Sequence, residues 1–327
     1  MIQLLIIGIV FLLGVFMVVV CVILSSPKCT SKVCLVGKTA LVTGGSSGIG
    51  YQTVLGLAAR GCRVIVADQN VDEKIQRSLI KESNNPNIIM QYVDLASFES
   101  VRELARRLTA SEDKLDILIN NAGIGKGPDK LSKDDLDDTW QINYFSAFLL
   151  THLLIGLLKK SSAGRVIFTS SLLSHVHQLS SENITATEIK SSEYFLSYSD
   201  TKVALIIASD IFATKLNKFN ITSNVYHPGI ANTAIFERSM RNMEGIGEKA
   251  LVFVLRLLLF FLNKTPEDGA QTALHLAVSR EVENITGRYF GRLSETWKPR
   301  ICKDKILCEK IWTTSETIVK LESNERL

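Results

Sequence analysis

The sequence predicts an α/β fold with a single doubly wound parallel sheet of about seven strands, preceded by an N-terminal transmembrane helix. The 327-residue chain alternates short β-branched runs with helical patterns. Strands separated by helices indicate βαβ units and a parallel sheet. The strand runs are apolar throughout rather than alternating, which is typical of a sheet covered on both faces. The sequence contains no repeats and no low-complexity linkers, so we expect one domain over residues 38–300.

Residues 1–24 are apolar except for Gln3 and contain no charged side chain. At ~1.5 Å per residue this run is long enough to cross a ~30 Å hydrocarbon core. A cleaved signal peptide is the alternative, but it would need a basic start and a small-residue cleavage site. We therefore interpret residues 1–24 as a retained transmembrane anchor and residues 25–37 as a juxtamembrane linker.

The charges around this run predict the topology. Lys28, Lys32 and Lys38 follow the run, and no charged side chain precedes it. The positive-inside rule then predicts a single-pass protein whose body faces the cytosol, and we expect the endoplasmic reticulum as its membrane. Three Asn-Ile-Thr sequons favour a lumenal body weakly, and we interpret them as accidental; they begin at Asn183, Asn220 and Asn284.

Cysteine spacing and net charge disfavour several classes of protein. The six cysteines are scattered without C-x-x-C pairs, which favours free thiols in a reducing compartment over zinc ligation or disulfides. No histidine spacing suggests zinc either, so we expect no metal site. The net charge of +4 is modest and no basic stripe is present, so we expect no nucleic-acid partner.

The elements follow from hydrophobic pattern and capping signals. A helix is predicted over Ile49–Arg60, ended by Gly61, and another over Phe98–Thr109, capped by Ser97. Ser132 with Asp135 resembles a capping box that starts a further helix, and Phe145–Lys160 is strongly apolar. A tail helix is predicted over Asp304–Leu321, within residues 301–327. The predicted strands are Lys38–Thr43, Arg63–Ala67, Asn87–Val93, Leu115–Ile119, Arg165–Thr169, Ile221–Tyr226 and Ile285–Phe290.

A glycine-rich turn follows the first strand and opens a helix. Thr43–Gly50 reads TGGSSGIG. Gly44 allows a tight turn, while Gly48 and Gly50 let the backbone approach a pyrophosphate. The helix N-terminus offers N–H groups and a positive dipole end to phosphates. An ordinary glycine-rich turn is disfavoured, because the strand–turn–helix context of a dinucleotide site is present.

Candidate catalytic side chains lie further along the chain. Tyr198 and Lys202 in YSDTK share one face of a helix at spacing i, i+4. An ammonium near a phenol lowers the phenol pKa, so Tyr198 can exchange a proton with a substrate oxygen. Ser171 follows a strand, where sites form in open α/β sheets, and could hydrogen-bond the reacting oxygen. Asn143 could hold a backbone or a water, or simply cap or kink its helix.

Taken in order, these motifs resemble the pattern of the short-chain dehydrogenase/reductase family over roughly residues 37–300. The resemblance implies a Rossmann-type sheet and a catalytic tetrad of Asn143, Ser171, Tyr198 and Lys202. It implies that Tyr198 is the acid/base, Ser171 steadies the reacting oxygen, Lys202 binds the nicotinamide ribose and lowers the Tyr198 pKa, and Asn143 holds a relay water. The motifs are TGGSSGIG, Asp94 in YVDL, NNAG at Asn120–Gly123, Asn143, Ser171, YSDTK and HPG at His227–Gly229.

The resemblance also implies a nicotinamide dinucleotide cofactor, which carries the hydride. Asp94 would contact adenine, Asn121 to Gly123 the ribose, and Pro228 to Thr233 the nicotinamide side. The full set of expected cofactor-binding residues is Thr43, Gly44, Ser46, Ser47, Gly48, Ile49, Gly50, Asp68, Asp94, Leu95, Asn121, Ala122, Gly123, Tyr198, Lys202, Pro228, Gly229, Ile230 and Thr233.

Asp68 ends the second predicted strand, 24 residues after Gly44. A carboxylate at this place accepts the adenosine ribose hydroxyls of NAD and repels a 2′-phosphate. NADP-dependent members commonly carry Arg or Lys where this chain has Gln69 and Ser47. We therefore predict a preference for NAD(H), with NADP(H) as the alternative.

The closest resemblance within the family is to the membrane-anchored retinol dehydrogenases. The features that carry it are the anchor, the stretch Thr265–Val278 and the 27-residue gap from Ser171 to Tyr198. It implies a lipophilic alcohol or carbonyl substrate, retinol or retinal above all. The alternatives are a steroid or long-chain alcohol dehydrogenase and a non-catalytic nucleotide-binding scaffold.

Two apolar segments bear on partners. Leu251–Leu262 reads LVFVLRLLLFFL, which is too short to span a membrane. It predicts a buried helix, or a lid or interfacial helix over a lipophilic pocket. The helix Phe145–Leu158 is more apolar than one buried face requires, and in this family that region pairs subunits. We therefore keep open both a homodimer and simple core burial.

Overall fold

The computed structural model describes Phe16 and residues 26–125, 131–180, 194–229 and 264–327. The predicted anchor, apart from Phe16, lies outside these residues. So do the apolar segment Leu251–Leu262 and the predicted cofactor residues Ile230 and Thr233.

The described strands form one eight-stranded sheet in the order β3-β2-β1-β4-β5-β6-β7-β8. All neighbours pair in parallel except β7 and β8, which are antiparallel. The α/β class and the mostly parallel sheet are thus confirmed, while the expected number of about seven strands is one too few. The eighth strand has two residues, too few for a periodic pattern. The strands are β1 Thr39–Thr43, β2 Arg63–Asp68, β3 Ile88–Tyr92, β4 Ile117–Asn120, β5 Gly164–Thr169, β6 Ile221–His227, β7 Tyr289–Gly291 and β8 Ser294–Glu295.

Helices cover both faces of the sheet. Side chains of α3, α4, α5 and α7 share one apolar core with the sheet, and those of α1, α2 and α6 share the other. This double covering explains why the central strands are apolar on both faces. The helices are α1 Gly48–Ala58, α2 Glu73–Ser83, α3 Phe98–Ser111, α4 Ser146–Leu158, α5 Tyr194–Leu216, α6 Pro266–Val278 and α7 Lys305–Ile318.

Helix α4 is buried almost completely within one chain. Only Gly156 is exposed and Leu153 is half-buried. Helix α7 covers part of α4, because Trp312 packs edge-on against Phe148 with ring centroids 4.9 Å apart. Among the described residues, the helical stretch Asp138–Leu158 is long and apolar enough to cross a membrane, but 83% of its most apolar window is buried inside the fold. Such burial is typical of a core helix.

The expected helix start at Ser132 and Asp135 is wrong. Asp135 has a left-handed φ of 58°, and the Ser132 N–H donates to the Leu136 carbonyl at 2.8 Å, so these residues form a turn. The helical stretch begins instead at Asp138, where the Asp137 carboxylate accepts from the Trp140 N–H at 3.0 Å. A π-helical turn, Gln141–Phe145, then precedes α4 and contains Asn143.

Candidate active site

The glycine turn, Thr43–Gly50, lies at the carboxyl end of β1. Gly44 has φ 66°, and a Cβ there would lie 2.9 Å from the Ala122 Cα. A Cβ at Gly50 would lie 2.1 Å from the Gly44 carbonyl oxygen. Gly48 has φ 57°, but a Cβ there would meet no described atom within 4 Å. Backbone packing therefore requires Gly50, whereas the open side of the turn lies at Gly48.

The first turn of α1 is suited to an anion. Ser47 precedes the helix in an extended conformation, and within the described residues its hydroxyl makes no cap hydrogen bond. The N–H groups of Gly48, Ile49 and Gly50 begin α1 and have no carbonyl partner within their own helix, where the first such bond runs from the Tyr51 N–H to the Ser47 carbonyl. Together with the space at Gly48, this cradle fits a pyrophosphate at the positive end of the helix dipole.

The Asp68 carboxylate lies beside this turn. Its Oδ2 accepts from the Ser46 N–H and its Oδ1 from the Asn70 N–H, both at 3.1 Å. Asp68 is only partly buried, so its carboxylate remains accessible to solvent. Its geometry is compatible with binding ribose hydroxyls and ties β2 to the glycine turn.

Asp94 is held by two side chains that the sequence patterns did not identify. Gln69 Nε2 donates to Asp94 Oδ1 at 2.5 Å, and Lys133 Nζ lies 3.2 Å from Asp94 Oδ2. Leu95, the next residue, is buried. Lys133 is 39 residues from Asp94, so no local motif could have indicated this ion pair. Gln69, the residue after β2, is therefore hydrogen-bonded to Asp94.

The strand-end residues Asn121 to Gly123 close onto the glycine turn. Thr43 Oγ1 accepts from the Asn121 and Ala122 N–H groups at 3.0 and 3.1 Å. Asn121 Nδ2 in turn donates to the Thr43 and Gly44 carbonyls at 3.0 and 3.2 Å. These four hydrogen bonds fix the carboxyl ends of β1 and β4 against each other.

Asn143 is 1% exposed, and its amide is engaged by the backbone. Its Oδ1 accepts from the Ile124 N–H at 2.7 Å, and its Nδ2 donates to the Ile124 carbonyl at 2.9 Å. A Cβ at Gly123 would lie 3.2 Å from the same Oδ1. Of the roles predicted for this amide, these contacts show that it binds the backbone of a neighbouring segment at Ile124.

Lys202 is 3% exposed beneath the Tyr198 ring. Its Nζ donates to the Thr169 carbonyl at 3.0 Å and lies 5.4 Å from the Tyr198 ring centroid. Burial lowers the pKa of Lys202 to about 8. The Tyr198 side chain itself is only half-buried, so part of it is reachable from solvent. The spacing along α5 therefore brings a buried amine and a reachable phenol together, as predicted for this pair.

Ser171 begins a 3-10 helix, Leu172–His175, directly beyond β5. Its Oγ accepts from the Leu173 N–H at 3.1 Å, and its carbonyl accepts from the Tyr289 hydroxyl at 3.0 Å. Burial raises the pKa of Tyr289 to about 12, which keeps that hydroxyl protonated as a donor. Tyr289 is a further contact that the motifs did not predict, since it lies 118 residues away.

Beyond β6, Pro228 and Gly229 are half-buried. The Gly229 N–H donates to His227 Nδ1 at 3.2 Å. Burial lowers the pKa of His227 to about 4, so the ring is neutral and its Nδ1 can accept this bond. Among the described residues, no group of three or more His, Cys, Asp or Glu side chains is arranged to hold a metal ion.

Comparisons with known proteins identify the family of this chain. The family model described as short chain dehydrogenase matches residues 38–244. Retinol dehydrogenase 13 of Mus musculus is 34% identical, with 90% of this chain and 87% of that protein covered. Dehydrogenase/reductase SDR family member 13 of Bos taurus is 32% identical, with 98% and 83% covered. Retinol dehydrogenase 14 of Homo sapiens is 34% identical, with 87% of each covered.

Solved structures share the fold at lower identity. An uncharacterised protein from Mycobacterium paratuberculosis superposes with a TM-score of 0.68 at 23% identity, over 91% of this chain and 99% of that chain. A short chain dehydrogenase from Escherichia coli complexed with NADPH gives a TM-score of 0.61 at 23% identity, over 81% and 100%. These likenesses establish the fold alone.

Proposed function

Because the chain belongs to the short-chain dehydrogenase/reductase family of oxidoreductases, we propose that it interconverts a lipophilic alcohol and its carbonyl compound with a nicotinamide cofactor. The observation that carries this proposal is the burial of Lys202 beneath the Tyr198 ring, at the carboxyl end of β5. A buried ammonium stabilises a phenolate and so lowers the pKa of the phenol toward neutrality. The pair thereby has the chemistry of an acid/base catalyst.

The cofactor would bind along the carboxyl ends of β1, β2, β4 and β6. The glycine turn and the start of α1 would hold its pyrophosphate, and Asp68 its adenosine ribose. Asn121 to Gly123, Lys202 and the residues after His227 would hold the nicotinamide half. When bound, the cofactor supplies or accepts the hydride. The Asp68 carboxylate supports a preference for NAD(H) over NADP(H), because a 2′-phosphate beside it would meet like charge.

Four side chains would transfer the proton and orient the reacting oxygen. In the direction of reduction Tyr198 donates its phenolic proton to the carbonyl oxygen, and in oxidation it accepts the alcohol proton. The Ser171 hydroxyl would hydrogen-bond the same oxygen and orient it. Lys202 keeps the phenol acidic. Asn143 holds the backbone at Ile124, and we propose that it also orders a relay water.

For the substrate we propose a retinoid. The support is the similarity to relatives named retinol dehydrogenases, together with the apolar run over residues 1–24. We further propose that this run anchors the enzyme in the endoplasmic reticulum with the domain over residues 38–300 facing the cytosol, following the lysines at 28, 32 and 38. We do not propose a homodimer through the apolar face of α4, because Trp312 of the same chain packs against Phe148 there.

The test is a turnover screen of the purified full chain in detergent. All-trans-retinol, a hydroxysteroid and a long-chain alcohol, with their carbonyl forms, are each assayed with NAD(H) and NADP(H). We expect the highest kcat/KM with the retinoid and NAD(H), and loss of turnover in Tyr198→Phe. A higher kcat/KM on the hydroxysteroid would replace the retinoid assignment. Cofactor binding without turnover on any substrate would favour a nucleotide-binding scaffold.

A further inference from the structure

Asp200 lies between Tyr198 and Lys202 in the sequence but contacts a different part of the fold. Its Oδ1 accepts from the Gln178 N–H at 2.8 Å, and the Leu179 N–H is a second donor to the carboxyl group. The residue is 8% exposed. Gln178 and Leu179 end the stretch that starts at the catalytic serine, residues 171–179, called here the Ser171 segment. Asp200 thus joins α5 to the far end of that segment.

The near end of the Ser171 segment is joined to the same helix. Ser170 Oγ donates to the Lys202 carbonyl at 2.8 Å. Helix α5 therefore holds the chain on both sides of Ser171, once before it and once after it. Since α5 also carries Tyr198, these two attachments determine where the Ser171 hydroxyl lies relative to the phenol.

The buried Asp200 carboxylate lowers the stability of the fold at neutral pH. Burial raises the pKa of Asp200 to about 6, against the opposing effect of the two N–H donors. The titratable neighbours on its own helix are Tyr198 and Lys202, and the packed segment carries His175 and His177. Among the described residues, none of these four side chains shifts the pKa of the Asp200 carboxyl through its charge. A buried carboxylate without a cationic partner lowers stability, so its presence needs a reason other than folding.

We propose that Asp200 is a positioning residue whose ionised carboxylate holds the Ser171 segment against α5 and keeps the Ser171 hydroxyl aligned with Tyr198. The inference rests on the proposed function, since it assigns Asp200 to the same reaction. A carboxylate accepts both N–H groups with charge-assisted bonds. Protonation or amidation weakens them, and displacement of a reacting group by even 1 Å reduces turnover strongly.

Asp200→Asn tests this in the full chain, because it removes the charge and keeps the shape. We expect kcat to fall about tenfold to a hundredfold. We also expect wild-type activity to decline below about pH 6 as Asp200 takes up a proton, and the variant to lack this decline. Asp210→Asn is the matched control, since Asp210 lies on the same helix and pairs with Lys298 at 2.6 Å, whereas Asp200 binds the Gln178 amide. It should keep the wild-type kcat and the acid decline.

Amide hydrogen exchange provides a readout that needs no turnover. At pH 7.5 the Gln178 and Leu179 amides should exchange faster in Asp200→Asn than in wild type. In wild type at pH 5 they should also lose protection, after correction for intrinsic rates. If wild type turns over no substrate, the proposed function fails while exchange still tests the attachment. Unchanged exchange of both amides would overturn the inference, as would a wild-type kcat with the acid decline retained in Asp200→Asn.

Discussion

The Asp68 carboxylate accepts a hydrogen bond from the Ser46 N–H at 3.1 Å, which ties the end of β2 to the glycine turn. This contact implies two roles for the residue, because the group that would repel a 2′-phosphate also supports the turn that would hold the pyrophosphate. Replacing Asp68 therefore affects both the choice of cofactor and the affinity for either one.

Asp68→Ala combined with Gln69→Arg should move the preference toward NADP(H). The change removes the carboxylate and adds a guanidinium that can pair with a 2′-phosphate. We expect the ratio of kcat/KM for NAD to that for NADP to fall at least about tenfold, equivalent to about 1.4 kcal/mol. Affinity for both cofactors should also weaken, because the bonds to Ser46 and from Gln69 to Asp94 are lost.

Asp68→Asn separates the two effects. Its amide oxygen can still accept from Ser46, so the turn is retained while the charge is lost. Relaxed cofactor preference with near wild-type NAD affinity is therefore expected for this variant. A wild-type enzyme that prefers NADP(H) from the outset would contradict the role given to Asp68.

Gly50→Ala should abolish tight cofactor binding. The new Cβ would lie 2.1 Å from the Gly44 carbonyl oxygen and 2.6 Å from Asn121 Nδ2, so the backbone of the glycine turn must move. We expect the Kd for NADH, measured by fluorescence titration, to rise at least about tenfold. Gly156→Ala is the control, because Gly156 is exposed in α4 and a Cβ there meets none of the described atoms within 4 Å. This change should stabilise the helix by about 0.5–1 kcal/mol. Equal NADH affinity in both variants would argue against the turn as the phosphate site.

The parts of the site that follow from the sequence are those whose chemistry requires a local spacing. Tyr198 and Lys202 share a helix face, Ser171 follows a strand, and the glycine turn joins a strand to a helix. The contacts of Gln69 and Lys133 with Asp94 could not be predicted, because they depend on how distant segments pack.

The same limit applies to the fold. Ser132 and Asp135 match a capping box in sequence, but the left-handed φ of Asp135 turns the chain away from a helix there. Tyr289 reaches the Ser171 carbonyl only because β7 pairs beside β6 in the sheet. Pattern and propensity determine which segments are helices and strands, whereas tertiary packing decides which side chains meet.

Trp312→Ala should destabilise the protein strongly. The indole is 5% exposed, packs edge-on against Phe148 and Phe212 at 4.9 Å, and donates from Nε1 to Glu316 Oε1 at 2.7 Å. Truncation of a buried aromatic leaves a cavity, and we expect a loss of about 3–5 kcal/mol in urea unfolding. Trp297→Ala is the matched control, because Trp297 is 73% exposed and packs at a tilt on the His175 ring with centroids 4.1 Å apart, and it should cost about 1 kcal/mol or less. Similar losses in the two variants would contradict the docking of α7 on α4.

Lys202→Met should separate stability from activity. Burial lowers the pKa of Lys202 from 10.5 to about 8, so the folded chain binds this proton more weakly than the unfolded chain. The buried charge therefore destabilises the fold fully below about pH 8, and the effect disappears as the pH rises through 10.5. At about 1.4 kcal/mol per pKa unit the variant should gain up to about 3 kcal/mol at pH 7, less the lost bond to Thr169. Its kcat should nevertheless fall at least about a hundredfold, because the phenol pKa is no longer lowered.

Urea unfolding at intervals from pH 7 to pH 10 checks the sign of this effect. The stability advantage of Lys202→Met over wild type should stay nearly constant up to about pH 8 and then shrink toward pH 10, because the folded wild-type lysine loses its charge. Lys218→Met, an exposed position just beyond α5, should change the free energy of unfolding by about 0.5 kcal/mol or less at every pH. A variant less stable than wild type at pH 7, or an advantage that grows with pH, would mean that the Lys202 ammonium stabilises the fold. The buried charge would then be a structural cation, and the argument that it is kept beneath Tyr198 for catalysis would lose its thermodynamic support.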